Sequence, residues 1–166
     1  MKVGNKAMRI LALDVGDRRI GLAISDEMGW TAQALPTLVR KDLRQDLLRL
    51  TELIRSREVT EVVVGLPRHL DGHLGPQAEK VLTFVESLKN RTSVQILMWD
   101  ERLTTRESER TLIEAHVRRS KRKTVVDQMA AVLILQNYLD AQQVRLSQPD
   151  RQAGGGPATS HRLGEV

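Results

Sequence analysis

Residues 8–27 read MRILALDVGDRRIGLAISDE, and this stretch constrains the fold more than any other. The apolar run around Ile10 to Val15 reads as a buried strand, and a second run, Ile20 to Ile24, starts almost at once. Asp14 stands near the end of the first run. A carboxylate there is costly to desolvate. It is therefore paired, bound to a metal, or placed at the strand's exposed carboxyl end. Gly16 follows and permits a tight turn. Strand, acid, glycine turn and strand together present one carboxylate to a divalent cation or a phosphate. The same D-x-G pattern also serves as a simple polar turn after a core strand.

The rest of the chain supplies the partners of this hairpin. Strand-like segments lie at 9–15, 18–25 and 31–39, the third holding Pro36 and so reading as an edge strand or a bulge. Asp42 to Arg57 places Leu43, Leu47, Leu50 and Ile54 on one helical face. Glu61 to Leu66, EVVVGL, has the β-branched run of a central parallel strand. Pro76 to Asn90 predicts a helix with proline in its first turn. Val94 to Trp99 predicts a strand, Thr104 to Ala115 a helix opened by a Thr104–Glu107 capping box, and Thr124 to Gln142 a last helix. The order β-β-β-α-β-α-β-α-α predicts an α/β fold. Its mixed five-stranded sheet has three antiparallel strands, then parallel ones, with helices on both faces. Residues 1–8 are expected to be a polar leader, with Met8 an alternative start, and 9–143 the domain. Residues 144–166 are expected to be a disordered Gly/Pro-rich tail.

The chain has 166 residues, enough for one such domain with a sizeable core. It has no cysteine, which removes disulfides and thiolate metal sites and suits a cytoplasmic location. No apolar stretch reaches the length of a membrane span. The net charge of +5 favours a polyanionic partner over a surface of merely surplus arginine. One Phe, one Tyr and two Trp argue against a base-stacking sheet platform.

On the expected sheet, strands one, four and five end at the same edge, where open α/β sheets bind ligands. Asp14 ends strand one, Asp100 and Glu101 follow strand five, and Asp127 falls in the first turn of the last helix. Asp127 shares a helical face with Ala130, Ala131, Ile134 and Tyr138, and the small alanines let that face lie close to the sheet. Converging carboxylates without cysteine suit Mg²⁺ or Mn²⁺. Each acid also has a plainer role: Asp127 as a helix N-terminal charge, Asp100 as a turn residue, Glu101 as a partner of Arg102 or Arg106. Around these acids lie candidate phosphate contacts. Arg18 and Arg19 sit beside Asp14, Arg68 and His69 lie in the GLPRHLDG loop, and Arg118, Arg119, Lys121, Arg122 and Lys123 form a run before Asp127. The loop otherwise joins a strand to a helix, and the run otherwise reads as a solvated linker. The four histidines are scattered without zinc spacing, and no Ser-His-acid set is evident.

The segments LALDVGDRRIGLAISD, VVVGLPRHLDG, DERLTTRESE and KTVVDQMAAVLILQNYLD resemble the YqgF/RuvX family of RNase H-like proteins, in order and spacing, over about residues 9–140. The D-E-R-L-T-T and D-x-x-A-A pieces are the specific ones. The resemblance implies an RNase H-like fold with Asp14, Glu101 and Asp127 as a catalytic, metal-holding triad. It singles out Lys123 within the basic run. It also implies a nuclease maturing the 5′ end of pre-16S ribosomal RNA, in a family also labelled as Holliday-junction resolvases. Structured RNA is then the expected partner, with branched DNA the alternative. Symmetric cutting of a junction requires a homodimer. A binding factor without catalysis shares the same fold-level expectation. An actin-like ATPase, whose phosphate loops also use D-x-G, needs a second domain that this length does not supply.

The basic run yields a first prediction. Replacing Arg118, Arg119, Lys121 and Lys123 by alanine should weaken RNA binding and flatten its salt dependence, because fewer counterions are released. Affinity titrations over a salt series check this; an unchanged slope makes the run a solvated linker.

Overall fold

A computed structural model describes residues 8–69, 71–101 and 122–147, with side chains on the last segment described from Gln128 onward. Five strands, β1 (Ile10–Val15), β2 (Arg19–Ser25), β3 (Ala32–Val39), β4 (Glu61–Leu66) and β5 (Gln95–Asp100), form one sheet in the order β3-β2-β1-β4-β5. β1 pairs antiparallel with β2, and β2 with β3, whereas β4 joins β1 and β5 joins β4 in parallel. This is the expected mixed sheet. β3 is the edge strand that Pro36 indicated, and the pairing shifts register between Ile20 and Leu22.

Two helices cover one face and a third covers the other. Helix α1 (Leu43–Ser56) starts at Asp42, whose side chain accepts from the Gln45 amide at 2.8 Å. Helix α2 (Pro76–Lys89) starts with the expected proline. Their buried faces pack on Leu11, Leu13, Val15, Val62, Val64 and Leu66. Helix α3 (Arg122–Ser147) covers the opposite face, where Ile10, Ala12, Ala23 and Val63 meet Ala131, Ile134, Leu135 and Leu139. Strand alternation thus sorts β1 cleanly, odd positions toward α1 and α2, even positions toward α3.

Two expectations are corrected. Helix α3 begins at Arg122 and ends at Ser147, longer at both ends than 124–142. Lys123 therefore lies in the helix, and Asp127 lies beyond its first turn, where a charge gains less from the helix dipole. β5 also includes Asp100, because its pairing with Leu66 extends the ladder past Trp99. Residues 1–7 of the expected leader, the helix over 104–115, Arg118, Arg119, Lys121 and the tail from 148 lie outside the described residues, whereas residues 144–147, expected in the disordered tail, belong to α3. No helix among the described residues is long and apolar enough to cross a membrane.

Tyr138 anchors α3 against the start of β4. Its hydroxyl donates to Glu61 Oε1 and accepts from Gln142 Nε2 at 2.8 Å, while its ring meets Trp99 edge-on at 5.8 Å. Burial first, and the Glu61 carboxylate second, push the phenol well above its ordinary range, so it stays a donor. Tyr138→Phe strands the Glu61 carboxylate and should cost about 1–2 kcal/mol. Denaturant unfolding of the two proteins checks this, and an unchanged midpoint contradicts it.

Candidate active site

The site is built where β1, β4 and β5 end. Asp14 has the parity of Ile10 and Ala12, so its side chain projects on the α3 face. It is partly buried and lies opposite Gly21 of β2. Leu13 pairs with Val64, which sets Asp14 alongside Gly65 on the other side. A glycine thus stands beside Asp14 on each neighbouring strand.

Glu101 reaches the same place from β5. A Cβ added to Gly65 would stand 2.7 Å from Glu101 Oε1 and 2.6 Å from Ile134 Cδ1. The Glu101 carboxylate therefore lies over Gly65, beside the α3 side chain Ile134. Glu101 and Ile134 fill the space that a side chain at position 65 would take. Asp14, by its parity and register, and Glu101, by its carboxylate over Gly65, thus lie on one face and at one end of the sheet.

The direction of α3 brings its amino-terminal turns to the same end. Tyr138 bonds Glu61 at the start of β4, and Ile134, one turn earlier, touches Gly65 near its end. Along β3, Gln136 accepts from the Ala32 amide, and Gln128 Nε2 donates to the Leu35 carbonyl. The helix therefore runs antiparallel to β1 and β4. Position 127, one turn before buried Ala131, belongs to the turns that extend toward the Asp14–Glu101 end. Its side chain lies outside the described residues.

The other candidates are dispersed around this edge. Arg18 is exposed in the β1–β2 turn, and Arg19 opens β2. Asp100 has the opposite parity to Glu101, and Arg68 Nε stands 3.9 Å from its Oδ2. The GLPRHLDG loop folds on itself: His69 N donates to His73 O, Gly72 N to His69 O, and His73 N to Asp71 Oδ1. That last bond holds the Asp71 carboxyl below its ordinary range. Gly72 supplies a φ of 91° for the turn.

Sequence reasoning missed Asp46 and Arg40. Asp46 is 1 % exposed, among the apolar side chains beneath α1. Arg40 Nε donates to its Oδ2 at 3.0 Å and Arg40 Nη1 to the Gly16 carbonyl at 2.9 Å. A signal was present, since Asp46 falls four and eight residues before Leu50 and Ile54, on their buried stripe.

The sequence profile of the RuvX family, described as Holliday junction resolvase, matches residues 8–141. The chain belongs to that family. A protein of Thermoanaerobacter pseudethanolicus named "Putative pre-16S rRNA nuclease" is 54 % identical over 136 residues, covering 81 % of this chain and 98 % of its own. A protein of the same name from Halalkalibacterium halodurans is 51 % identical over 140 residues, covering 83 % and 100 %. Among solved structures, RuvC of T. thermophilus in complex with a Holliday junction substrate superposes with a TM-score of 0.55 at 15 % identity. It covers 82 % of this chain and 96 % of its own. The RuvX chain thus shares the RuvC-type, RNase H-like fold.

The contact at Gly65 gives a prediction. Gly65→Ala brings its methyl against two side-chain ends that can move, so the RuvX protein should still fold, with a loss of about 1–3 kcal/mol. Denaturant unfolding measures the loss, and a crystal structure should show the Glu101 carboxylate displaced. A superimposable Glu101 contradicts the packing described.

Proposed function

We propose that this RuvX protein is a metal-dependent nuclease that hydrolyses phosphodiester bonds in maturing the 5′ end of pre-16S rRNA. The observation that supports the reading is the Glu101 carboxylate over Gly65, on the sheet face and at the sheet end to which parity and register assign Asp14. The relatives' names, at about half identity and nearly full length, supply the substrate.

The donor set fits Mg²⁺ or Mn²⁺. These cations prefer anionic oxygen, and the chain offers carboxylates on the site face and no thiolate. Asp14, Glu101 and Asp127 would hold the ions. When bound, such ions supply Lewis-acid activation of water and neutralise charge at the leaving oxygen. The chain's own task is placement. β1 fixes Asp14 by its ladder, and Gly65 leaves Glu101 the room to turn inward. α3 excludes water from one side through Ile134 and Leu135, both at most 3 % exposed. Arg18, Arg19 and Arg68 at the sheet edge, with Arg118, Arg119, Lys121 and Lys123, would neutralise flanking phosphates without reading bases. Partner and compartment follow from this reading as structured RNA and the cytoplasm.

A second reading is resolution of branched DNA by a homodimer, favoured by the family's description and the junction-bound RuvC neighbour. Precursor 16S rRNA and a four-way DNA junction, offered side by side with Mg²⁺ or Mn²⁺, separate the two.

In that assay Asp14→Asn and Asp127→Asn should lower cleavage about a hundredfold or more, with RNA binding and circular dichroism unchanged. Asp100→Asn, on the opposite parity and beside Arg68, should be far milder. A folded Asp14→Asn protein that cuts like the parent makes Asp14 a structural turn residue. A parent inactive with either metal on either substrate favours the non-catalytic binder.

A further inference from the structure

The turn that follows Asp14 has no regular structure to hold it, yet its backbone is tied from three elements. Gly16 N donates to Arg19 O at 2.9 Å, closing the turn. The Gly16 carbonyl accepts from Arg40 Nη1, and the Arg18 carbonyl from the Arg40 amide, both at 2.9 Å. The Val15 carbonyl accepts from Gln77 Nε2 of α2 at 3.3 Å, and Asp17 pairs with Lys80 at 3.2 Å. Arg40 is the centre of this arrangement. Its guanidinium stacks over the Phe84 ring at 5.2 Å and reaches Asp46, which also accepts from the Lys41 amide at 3.1 Å.

We propose that Arg40, held by buried Asp46, is a positioning residue that clamps the β1–β2 turn and so fixes Asp14 and Arg18 for the nuclease reaction. The inference rests on the proposed function for what Asp14 does, and on the geometry alone for the clamp. A buried carboxylate must be paired, and Asp46 thereby fixes the orientation of the guanidinium. The planar fork then spans two acceptors, Asp46 and the Gly16 carbonyl, which a lysine cannot span in one geometry. Gly16 sits two residues from Asp14, so the carbonyl held by Arg40 sets where β1 ends. A Cβ at Gly16 would stand 2.9 Å from the Arg19 carbonyl, so the turn tolerates little drift. Arg18 lines a cleft of about 440 Å³ together with Arg40, Lys41 and Asp46, so the turn and its clamp border the same space.

The test compares Arg40→Met, Arg40→Lys and Leu47→Ala in the full chain. Leu47, next to Asp46 and 2 % exposed, is the control for lost stability alone. Hydrogen exchange reads the turn directly, without metal or substrate. In Arg40→Met the amides of residues 14–19 should exchange about tenfold faster relative to the sheet core. Mn²⁺ affinity, measured by calorimetry, should fall roughly tenfold, as for other residues that orient a metal ligand. Arg40→Lys keeps a charge for Asp46 yet should reproduce both changes, whereas Leu47→Ala should leave Mn²⁺ affinity at the parent's value. A parent-like Arg40→Lys, or a Leu47→Ala protein that loses as much Mn²⁺ affinity as Arg40→Met, overturns the clamp. A parent that holds no Mn²⁺ contradicts the proposed function instead, and the exchange rates then decide the clamp by themselves.

Discussion

Helix α3 packs on the sheet across Ala12 and Ala23 and against the bare backbone of Gly65, and the site depends on that packing. Ala12, Ala23 and Ala131 are each wholly buried between the layers, and Ile134 Cδ1 occupies space that a Cβ on Gly65 would take. Ile134, Leu135 and Leu139 pin the helix, each burial contributing about 1.5–3 kcal/mol. The Glu101 carboxylate uses the same vacancy. One missing Cβ therefore serves both helix packing and the placement of an acid, and enlarging position 65 must disturb the two together.

The opposite face does different work. Its larger apolar side chains, with α1 and α2 above them, form the greater part of the core. Within that core Asp46 is an outlier, since a buried charge must be compensated by a partner with good geometry. Arg40 supplies it and passes the constraint on to the turn after Asp14. The core face thus orients the edge of the site, while α3 closes its side.

Much of the sheet was legible in the sequence because period-two runs and β-branched segments are set by burial, and burial has a sequence signature. Antiparallel neighbours followed from short links, parallel ones from intervening helices. That β1, β4 and β5 end at one edge followed from the same order. Three things escaped for physical reasons. Asp46 escaped because, although it lies on the stripe of Leu50 and Ile54, aspartate is rarely buried without a partner that local pattern does not show. Arg40 gains its role from a turn 24 residues away, a contact no local pattern encodes. The start of α3 at Arg122 escaped because the apolar periodicity begins only after the basic run, although arginine and lysine are good helix formers.

The central claim is that Asp14, Glu101 and Asp127 surround one metal site over Gly65. Anomalous diffraction from crystals of the full chain grown with Mn²⁺ tests it most directly. The account predicts Mn²⁺ within bonding distance of carboxylate oxygens from Asp14 and Glu101, with Asp127 completing the set from α3. Mn²⁺ bound elsewhere while this cleft stays empty, or Asp127 turned away from the sheet edge, would contradict it.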